Sequence, residues 1–279
     1  MTAIDIAAAA QLACLLEASA PKPGNVSPGR HFADTRYEHF LASAAAIGQP
    51  LAQAGTQPLG ATILHAAKAT SAWTRSNTNL GIVLLLAPIA RAAFQGGDLR
   101  SSLRTVLEAT TVGDTRAVYD AIRLASPGGL GDANDQDVAD EPTVTLLEAM
   151  RLAAAYDGIA REYATGFATT FDIGAPALHA ARAARLSWDD AVVETFLTIL
   201  AAAPDTHIAR RGGADLAGDI TQRAGEVLRA GGIRSEEGRK ALVYFDHSLR
   251  DPRNIGNPGT TADLTAAAIF VALLEGLWT

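Results

Sequence analysis

The sequence predicts an all-α protein: a single compact multi-helix domain over residues 1–279, built around a buried central helix. Three observations lead there. Ala, Leu and Arg, all good helix formers, recur at helical spacing from end to end. No segment alternates β-branched and polar residues over a useful length, as a half-buried strand would. The run 80–90 is apolar all round, which places its helix inside a core rather than on a surface.

Taken in order, helices are expected at 2–18, 35–48, 58–73, 79–94, 98–110, 114–124, 143–164, 174–184, 188–203, 213–230, 236–249 and 261–277. Asp98 and Asp114 stand where N-caps belong, and Ser187-Trp188-Asp189-Asp190 has the pattern of a capping box. Gly96-Gly97, Gly158, Gly212-Gly213 and Gly231-Gly232 punctuate the periodicity where helices end or begin. Pro88 is expected to kink the apolar helix near its end. The longest irregular stretch, 126–142, holds Pro127-Gly128-Gly129-Leu130-Gly131 and then Asp132, Asp135, Asp137, Asp140 and Glu141. It is not an EF-hand, because Asp137 occupies the position of the turn glycine. It reads as a solvated acidic loop, or else as a loop with a metal or substrate role.

Composition narrows the function. With 48% hydrophobic and 19% charged residues the chain is globular and not disordered. A net charge of −7 excludes a general nucleic-acid binder, so a polyanionic small ligand must be met by local cations or by a divalent ion. One cysteine, Cys14, excludes a disulfide framework within the chain. Residues 1–20 carry Asp5 and Glu17 and no basic stretch, unlike a signal peptide, and the run 80–90 is about half the ~20 residues needed to span a bilayer. A soluble cytoplasmic protein is expected, without nucleic-acid or membrane partners. Its apolar, Ala-rich surfaces suggest a homodimer.

No Walker A sequence, G-x-S-x-G elbow, H-E-x-x-H or paired C-x-x-C is present, and six scattered histidines suggest no shared metal. The chemistry-bearing residues gather at helix boundaries instead. Glu17 ends the first helix just before Pro21-Lys22-Pro23-Gly24-Asn25. Lys22 is one of three lysines against twenty arginines, and a Lys held between prolines suggests a point-charge phosphate contact. His31 and Asp34 lie at the start of the second helix. Asn77-Thr78-Asn79 precedes the apolar helix, where side-chain amides must cap it or hold a ligand. Asp205, Thr206, His207, Arg210, Arg211, Gly212 and Gly213 join a carboxylate, a guanidinium pair and a diglycine. Finally Asn257-Pro258-Gly259-Thr260-Thr261-Ala262-Asp263 opens the last helix with a turn, two hydroxyls and a carboxylate. That segment suits an anion or a metal-bound phosphate at a helix N-terminus, and equally a capping box between Thr260 and Asp263.

In this order the clusters resemble the triphosphoribosyl-dephospho-CoA synthase family, which makes the prosthetic-group precursor of citrate lyase and malonate decarboxylase. The matching stretches are Glu17 with Pro21-Lys22-Pro23-Gly24, Asn77-Thr78-Asn79-Leu80-Gly81, Asp205-Thr206, Arg211-Gly212-Gly213 and Asn257 to Leu264. The resemblance implies an all-α fold and transfer of the triphosphoribosyl group of ATP to the 2'-hydroxyl of dephospho-CoA, with release of adenine. Asn79-Leu80-Gly81 and the Asp-rich loop depart from the citrate-lyase branch and look more like homologues of archaea and C1-oxidising bacteria. A related nucleotide-dependent transferase with another acceptor in C1-cofactor biosynthesis, and a non-catalytic nucleotide-binding helical protein, are the alternative readings.

The expected roles follow from that chemistry. Lys22, Arg210 and Arg211 face phosphate oxygens, with Gly212 and Gly213 allowing close backbone approach. Gly259, Thr260 and Thr261 add donors, and Asn77 touches ribose or base. Asp34, Asp205 and Asp263 are the candidates for general base or Mg²⁺ ligand, and Glu17 orients Lys22. Mg²⁺ would accompany ATP as substrate.

Overall fold

A computed structural model of the chain describes residues 2–127 and 135–278, and among them there is no strand, only an isolated bridge between Ser27 and Arg30. The expected all-α class is what forms. The helices are α1 (Ala3–Ser19), α2 (Tyr37–Ala46), α3 (Gly48–Ala52), α4 (Leu59–Ser71), α5 (Leu80–Gln95), α6 (Leu99–Glu108), α7 (Val112–Ala125), α8 (Leu146–Ala153), α9 (Gly158–Thr165), α10 (Ala175–Ala183), α11 (Trp188–Ala202), α12 (Thr206–Gly212), α13 (Ala214–Arg229), α14 (Glu236–Leu249) and α15 (Gly259–Leu274). A π-helical turn, Thr169–Gly174, precedes α10, and a 3-10 turn, Gly232–Arg234, precedes α14. They fall into two compact units. The first comprises Met1–Cys14 and Glu38–Ala168, the second Leu15–Tyr37 and Thr169–Thr279.

The first unit is organised on α5, which packs against α4, α6, α7 and α9. Every residue from Ile82 to Ala90 is buried, as the sequence requires of a core helix. The helix runs on past Pro88 to Gln95. Proline removes the N–H that would bond the Leu84 carbonyl one turn earlier. The Tyr163 hydroxyl from α9 supplies the missing donor, at 2.6 Å. Tyr163 is buried, and burial raises its pKa, so this phenol stays protonated and keeps donating.

The second unit has a central helix of its own. In α15 only Gly259, Asp263 and Leu273 escape full burial, and the helix packs on α10, α11, α12 and the π-helical turn. Gly174 permits that contact, because a Cβ there would lie 2.7 Å from the Ala268 methyl.

Several boundaries differ from expectation for local reasons. The helix expected over 143–164 is two. Thr145 closes a capping box with Glu148 to start the first, and Asp157 starts the second by accepting the Ala160 N–H. Asp114 is the third residue of α7 and completes the box whose N-cap is Thr111. Asp98 and Ser187 cap α6 and α11 as expected. The segment 206–212, where no helix is expected, is helical, and the last helix starts at Gly259 rather than 261. Gly128-Gly129-Leu130-Gly131 and Asp132 of the acidic loop lie outside the described residues. Its later part is tied to α7, with Tyr119 Oη donating to the Gln136 carbonyl and Arg116 paired to Glu141 at 3.0 Å.

Candidate functional site

The two glycine turns singled out in the sequence meet in the second unit. The Asn25 amide donates to the Asn257 side chain at 3.0 Å, so the tips of 21–25 and 257–259 touch. A buried carboxylate, Asp246 on α14, fixes the first turn. It accepts the Gly24 N–H at 2.8 Å, pairs with Arg30, and takes Arg250 Nη2 at 2.8 Å. Arg250 also donates to the Asn25 carbonyl, at 2.9 Å. Gly24 has φ 71°, and a Cβ on it would sit 2.9 Å from the Leu249 side chain, so both its conformation and its contact demand glycine. Asp246 thus gathers two guanidinium groups beside the first turn. Sequence reading missed Asp246, Arg30 and Arg250; the i,i+4 spacing of Asp246 and Arg250 was the one available signal, and it usually marks an exposed helix face.

Asp205 governs the second junction. It caps α12 by accepting the Ile208 N–H at 3.0 Å with Oδ1, while Oδ2 accepts the Thr261 N–H and hydroxyl, each at 2.7 Å. One carboxylate thus closes the N-termini of both α12 and α15. Burial raises its pKa, and the hydrogen bonds from Thr261, Ile208 and His207 pull the other way. Thr260 is not the N-cap that a capping box with Asp263 requires, because α15 begins one residue before it and its N-cap residue is Pro258, which offers no side-chain hydrogen bond. The Thr260 oxygen instead accepts the His207 N–H at 3.1 Å and lies 3.1 Å from the Thr206 hydroxyl. Gly259 lets the His207 ring approach, a Cβ there falling 3.2 Å from it. Burial first, then Arg210 and Arg211, push the His207 pKa down to about 4, so the imidazole is neutral at neutral pH. Its Nε2 is buried and has no hydrogen-bond partner among the described residues.

Lys22 does not face outward. It is 0% exposed, with its ammonium 3.0 Å from Glu17 Oε1, bonded to the Glu17 carbonyl, and 3.3 Å from the Ala20 carbonyl. An ammonium has three protons. All three face the C-terminal end of α1, so in this arrangement Lys22 closes that helix. The expectation that Glu17 orients Lys22 matches the geometry. Arg211 is exposed and clamps the loop before the second turn, donating to the Arg253 carbonyl at 2.5 Å and the Asn254 carbonyl at 2.9 Å. Arg210 is exposed beside it, and Gly212 and Gly213 carry the chain from α12 to α13 with φ 92° at Gly213. Asp34 is exposed and accepts from the Thr35 hydroxyl at 3.1 Å, while Asp263 is half-buried in the first turn of α15. Among the described residues no group of three or more His, Cys, Asp or Glu side chains is gathered to hold a metal ion, so Asp34, Asp205 and Asp263 do not form a three-carboxylate cage.

Asn77 belongs to the first unit. It is exposed, and its Oδ1 accepts the Leu80 N–H at 3.1 Å, which caps α5 from three residues away. Asn79 is buried, donating to Thr70 Oγ1 at 3.1 Å and towards the Ser43 carbonyl at 3.5 Å. Among the described residues no single helix is long and apolar enough to cross a membrane.

Known proteins resemble this chain over most of its length. The family model described as ATP:dephospho-CoA triphosphoribosyl transferase matches residues 3–279. A 2-(5''-triphosphoribosyl)-3'-dephosphocoenzyme-A synthase of Pectobacterium atrosepticum is 29% identical over 85% of this chain and 70% of its own length. A Pseudomonas savastanoi protein assigned the same name is 35% identical over 42% of this chain, a match that spans only 40% of that protein. Among solved structures, a chain from Archaeoglobus fulgidus assigned as a triphosphoribosyl-dephospho-CoA synthase superposes with a TM-score of 0.67 at 32% identity, covering 85% of this chain and 99% of that one.

Proposed function

The chain belongs to the ATP:dephospho-CoA triphosphoribosyl transferase family, and we propose on that footing that it moves the 5'-triphosphoribosyl group of ATP to the 2'-hydroxyl of 3'-dephospho-CoA. The match of the family model across residues 3–279 carries this reading. The bond from ribose C1' to adenine N9 breaks and a bond from C1' to the acceptor oxygen forms. The acceptor hydroxyl gives its proton to a base and adenine takes one up as the C1'–N9 bond breaks, so the net transfer is of one proton from the acceptor oxygen to adenine. By analogy with glycoside chemistry the transition state is oxocarbenium-like, so a carboxylate near C1' lowers its energy.

Within this reading Asp263 is the proposed base, because it stands half-buried in the first turn of α15, beside the glycine turn at 257–259. Arg210 and the corner of Arg30 and Arg250 supply cations for the triphosphate, with Arg211 shaping the loop beside them. Asn77, in the first unit, is proposed separately as a contact for a nucleotide substrate. A magnesium ion fits only in the way it commonly travels with ATP, on phosphate oxygens with one or two carboxylates, for which Asp263 and Asp34 are proposed. It would neutralise triphosphate charge. A cytoplasmic location, where ATP is abundant, and a homodimer belong to the same proposal, the latter decided by light scattering.

The test is chromatographic detection of free adenine from ATP, with and without dephospho-CoA. Acceptor-dependent release is expected. ATP turnover that ignores dephospho-CoA but responds to another hydroxyl acceptor would replace the acceptor, and no release with any acceptor would overturn the reading.

A further inference from the structure

A cavity of about 260 Å³ opens in the first unit ahead of α5, between the end of α4 and the end of α7. Its floor is set by side chains already committed to one another. Asn79 bonds Thr70, and the Thr78 hydroxyl bonds that of Ser43. Those bonds hold the polar floor in place before any ligand arrives, which lowers the ordering cost of binding. Two groups on the wall are not committed in this way. Arg75 makes no hydrogen bond or ion pair among the described residues, and Asn77 uses its oxygen on the Leu80 N–H while its Nδ2 donates to none of them. Arg75 therefore presents five N–H donors and Asn77 two.

The charge of the wall selects the ligand. The chain has thirty acidic residues and a net charge of −7, yet among the described residues no Asp or Glu lines this cavity and Arg75 is its one charged residue. A guanidinium fork beside amide and hydroxyl donors matches phosphate oxygens better than a cation or an apolar group. The volume sets the size. It lies below the ~300–1,000 Å³ of pockets that engulf a whole drug-sized molecule, so one portion of a nucleotide enters and the rest extends outside. We propose that this cavity is a phosphate-accepting subsite for one of the two nucleotide substrates, with Arg75 and Asn77 as its specificity-determining contacts. The naming of the substrates rests on the transferase reading above; the anion site itself does not.

Because ATP and dephospho-CoA both carry phosphoanhydrides, the experiment separates them. The intact chain is titrated calorimetrically with inorganic pyrophosphate, ATP and dephospho-CoA in turn, as wild type, Arg75→Gln and Lys68→Gln. Lys68 is the control: an exposed cation on α4 that does not line the cavity. Arg75 is exposed and makes no ion pair among the described residues, so its replacement breaks none of those contacts, and an unchanged melting temperature checks this. The expected result is a tenfold or greater loss of affinity for pyrophosphate and for one nucleotide in Arg75→Gln, with Lys68→Gln within about twofold of wild type, since a hydrogen bond to a charged group outweighs an exposed point charge. The nucleotide affected identifies the occupant. Equal binding by wild type and Arg75→Gln for all three probes overturns the proposal, as does an equal loss in Lys68→Gln. If Arg75→Gln loses the anion while wild type releases no adenine, the subsite stands and the transferase reading falls. If adenine release is intact and Arg75→Gln binds normally, the reverse holds.

Discussion

Replacing Asp205 by Asn tests whether this carboxylate is structural or chemical. Its two oxygens accept from opposite sides, Oδ1 from the Ile208 N–H and Oδ2 from the Thr261 N–H and hydroxyl. An amide has one oxygen. If that oxygen stays with Thr261, the NH₂ group faces the Ile208 N–H, donor against donor, and α12 loses its cap. A lost hydrogen bond to a charged group is worth about 1.5–3 kcal/mol, and the deserted N–H adds to it. Against this, burial already disfavours the ionised form, so removing the charge returns part of that cost. The balance is a destabilisation of about 2 kcal/mol, or roughly 4–8 °C in Tm for a chain of this size. Differential scanning calorimetry reads the shift, and adenine release is measured well below the transition. The reasoning predicts a lower Tm with turnover reduced by no more than about threefold, against the ~10²-fold or greater loss expected of a missing base or metal ligand. An unshifted Tm with abolished turnover would refute it and return Asp205 to the catalytic set.

Tyr163→Phe should cost about 1–2 kcal/mol by orphaning the buried Leu84 carbonyl, and less in a Pro88→Ala background, where the restored N–H serves that oxygen; equal costs in both backgrounds would exclude the substitution of donor for donor. Lys22→Ala should destabilise by about 3–5 kcal/mol, because it leaves Glu17 buried and unpaired. Lys22→Met with Glu17→Gln should recover most of that loss and keep ATP affinity, whereas a folded double variant that no longer binds ATP would restore the phosphate role. For His207 the folded pKa of about 4 lies below the unfolded value of 6.5, so the stability of the neutral imidazole is present above pH 6.5 and drains away as pH falls towards 4, roughly 3 kcal/mol in all. Asp205 has the opposite slope in acid, since its raised pKa favours the folded state at low pH. The comparison is therefore between wild type and His207→Gln in urea melts at pH 7 and pH 4.5; an identical loss in both would rule His207 out as the acid-sensitive group. Asp263→Asn should leave Tm within about 2 °C and cut adenine release ~10²-fold or more; wild-type turnover would make Asp263 dispensable.

Much of the fold was legible because helix periodicity and caps are local. The apolar run 80–90 could sit nowhere but inside a unit, and Asp98 and Ser187 announced their helices. What periodicity cannot see is a cap that restarts a helix within a continuing pattern, as Asp157 and Thr145 do between residues 143 and 165. Nor could it show that residues 259–274 form a second core helix, because the Thr260-Thr261 start reads as polar until its hydroxyls are seen turned onto Asp205 and His207. At the site, the sequence singled out both glycine turns but not the Asn25–Asn257 contact that joins them. The direction of Lys22 was not legible either, since a lysine between prolines looks exposed unless its partners, two carbonyls and Glu17, lie within the preceding five residues. Asp246 was missed for the converse reason: a helical Asp four residues before an Arg looks like a solvated pair, and only tertiary structure brings Gly24 and Arg30 to it.

Asp246 and Asp205 perform the same operation at two places, and this bears on how an acidic chain meets a polyanion. Each buries a carboxylate where a glycine turn presents main-chain N–H groups, and each consumes a donor that the sequence offers to a phosphate: the Gly24 N–H in one case, the Thr261 N–H in the other. Backbone donors at these turns are therefore less available than the Pro-Gly patterns suggest. The carboxylates draw cations with them, however. Asp246 holds Arg30 and Arg250 together, and its single negative charge balances only one of the two guanidinium groups. A buried anion that gathers cations at a turn thus prepares a basic patch on a protein whose overall charge is −7. On this argument the rigid turns fix where the arginines stand, and recognition of a triphosphate falls to those side chains rather than to the helix ends themselves.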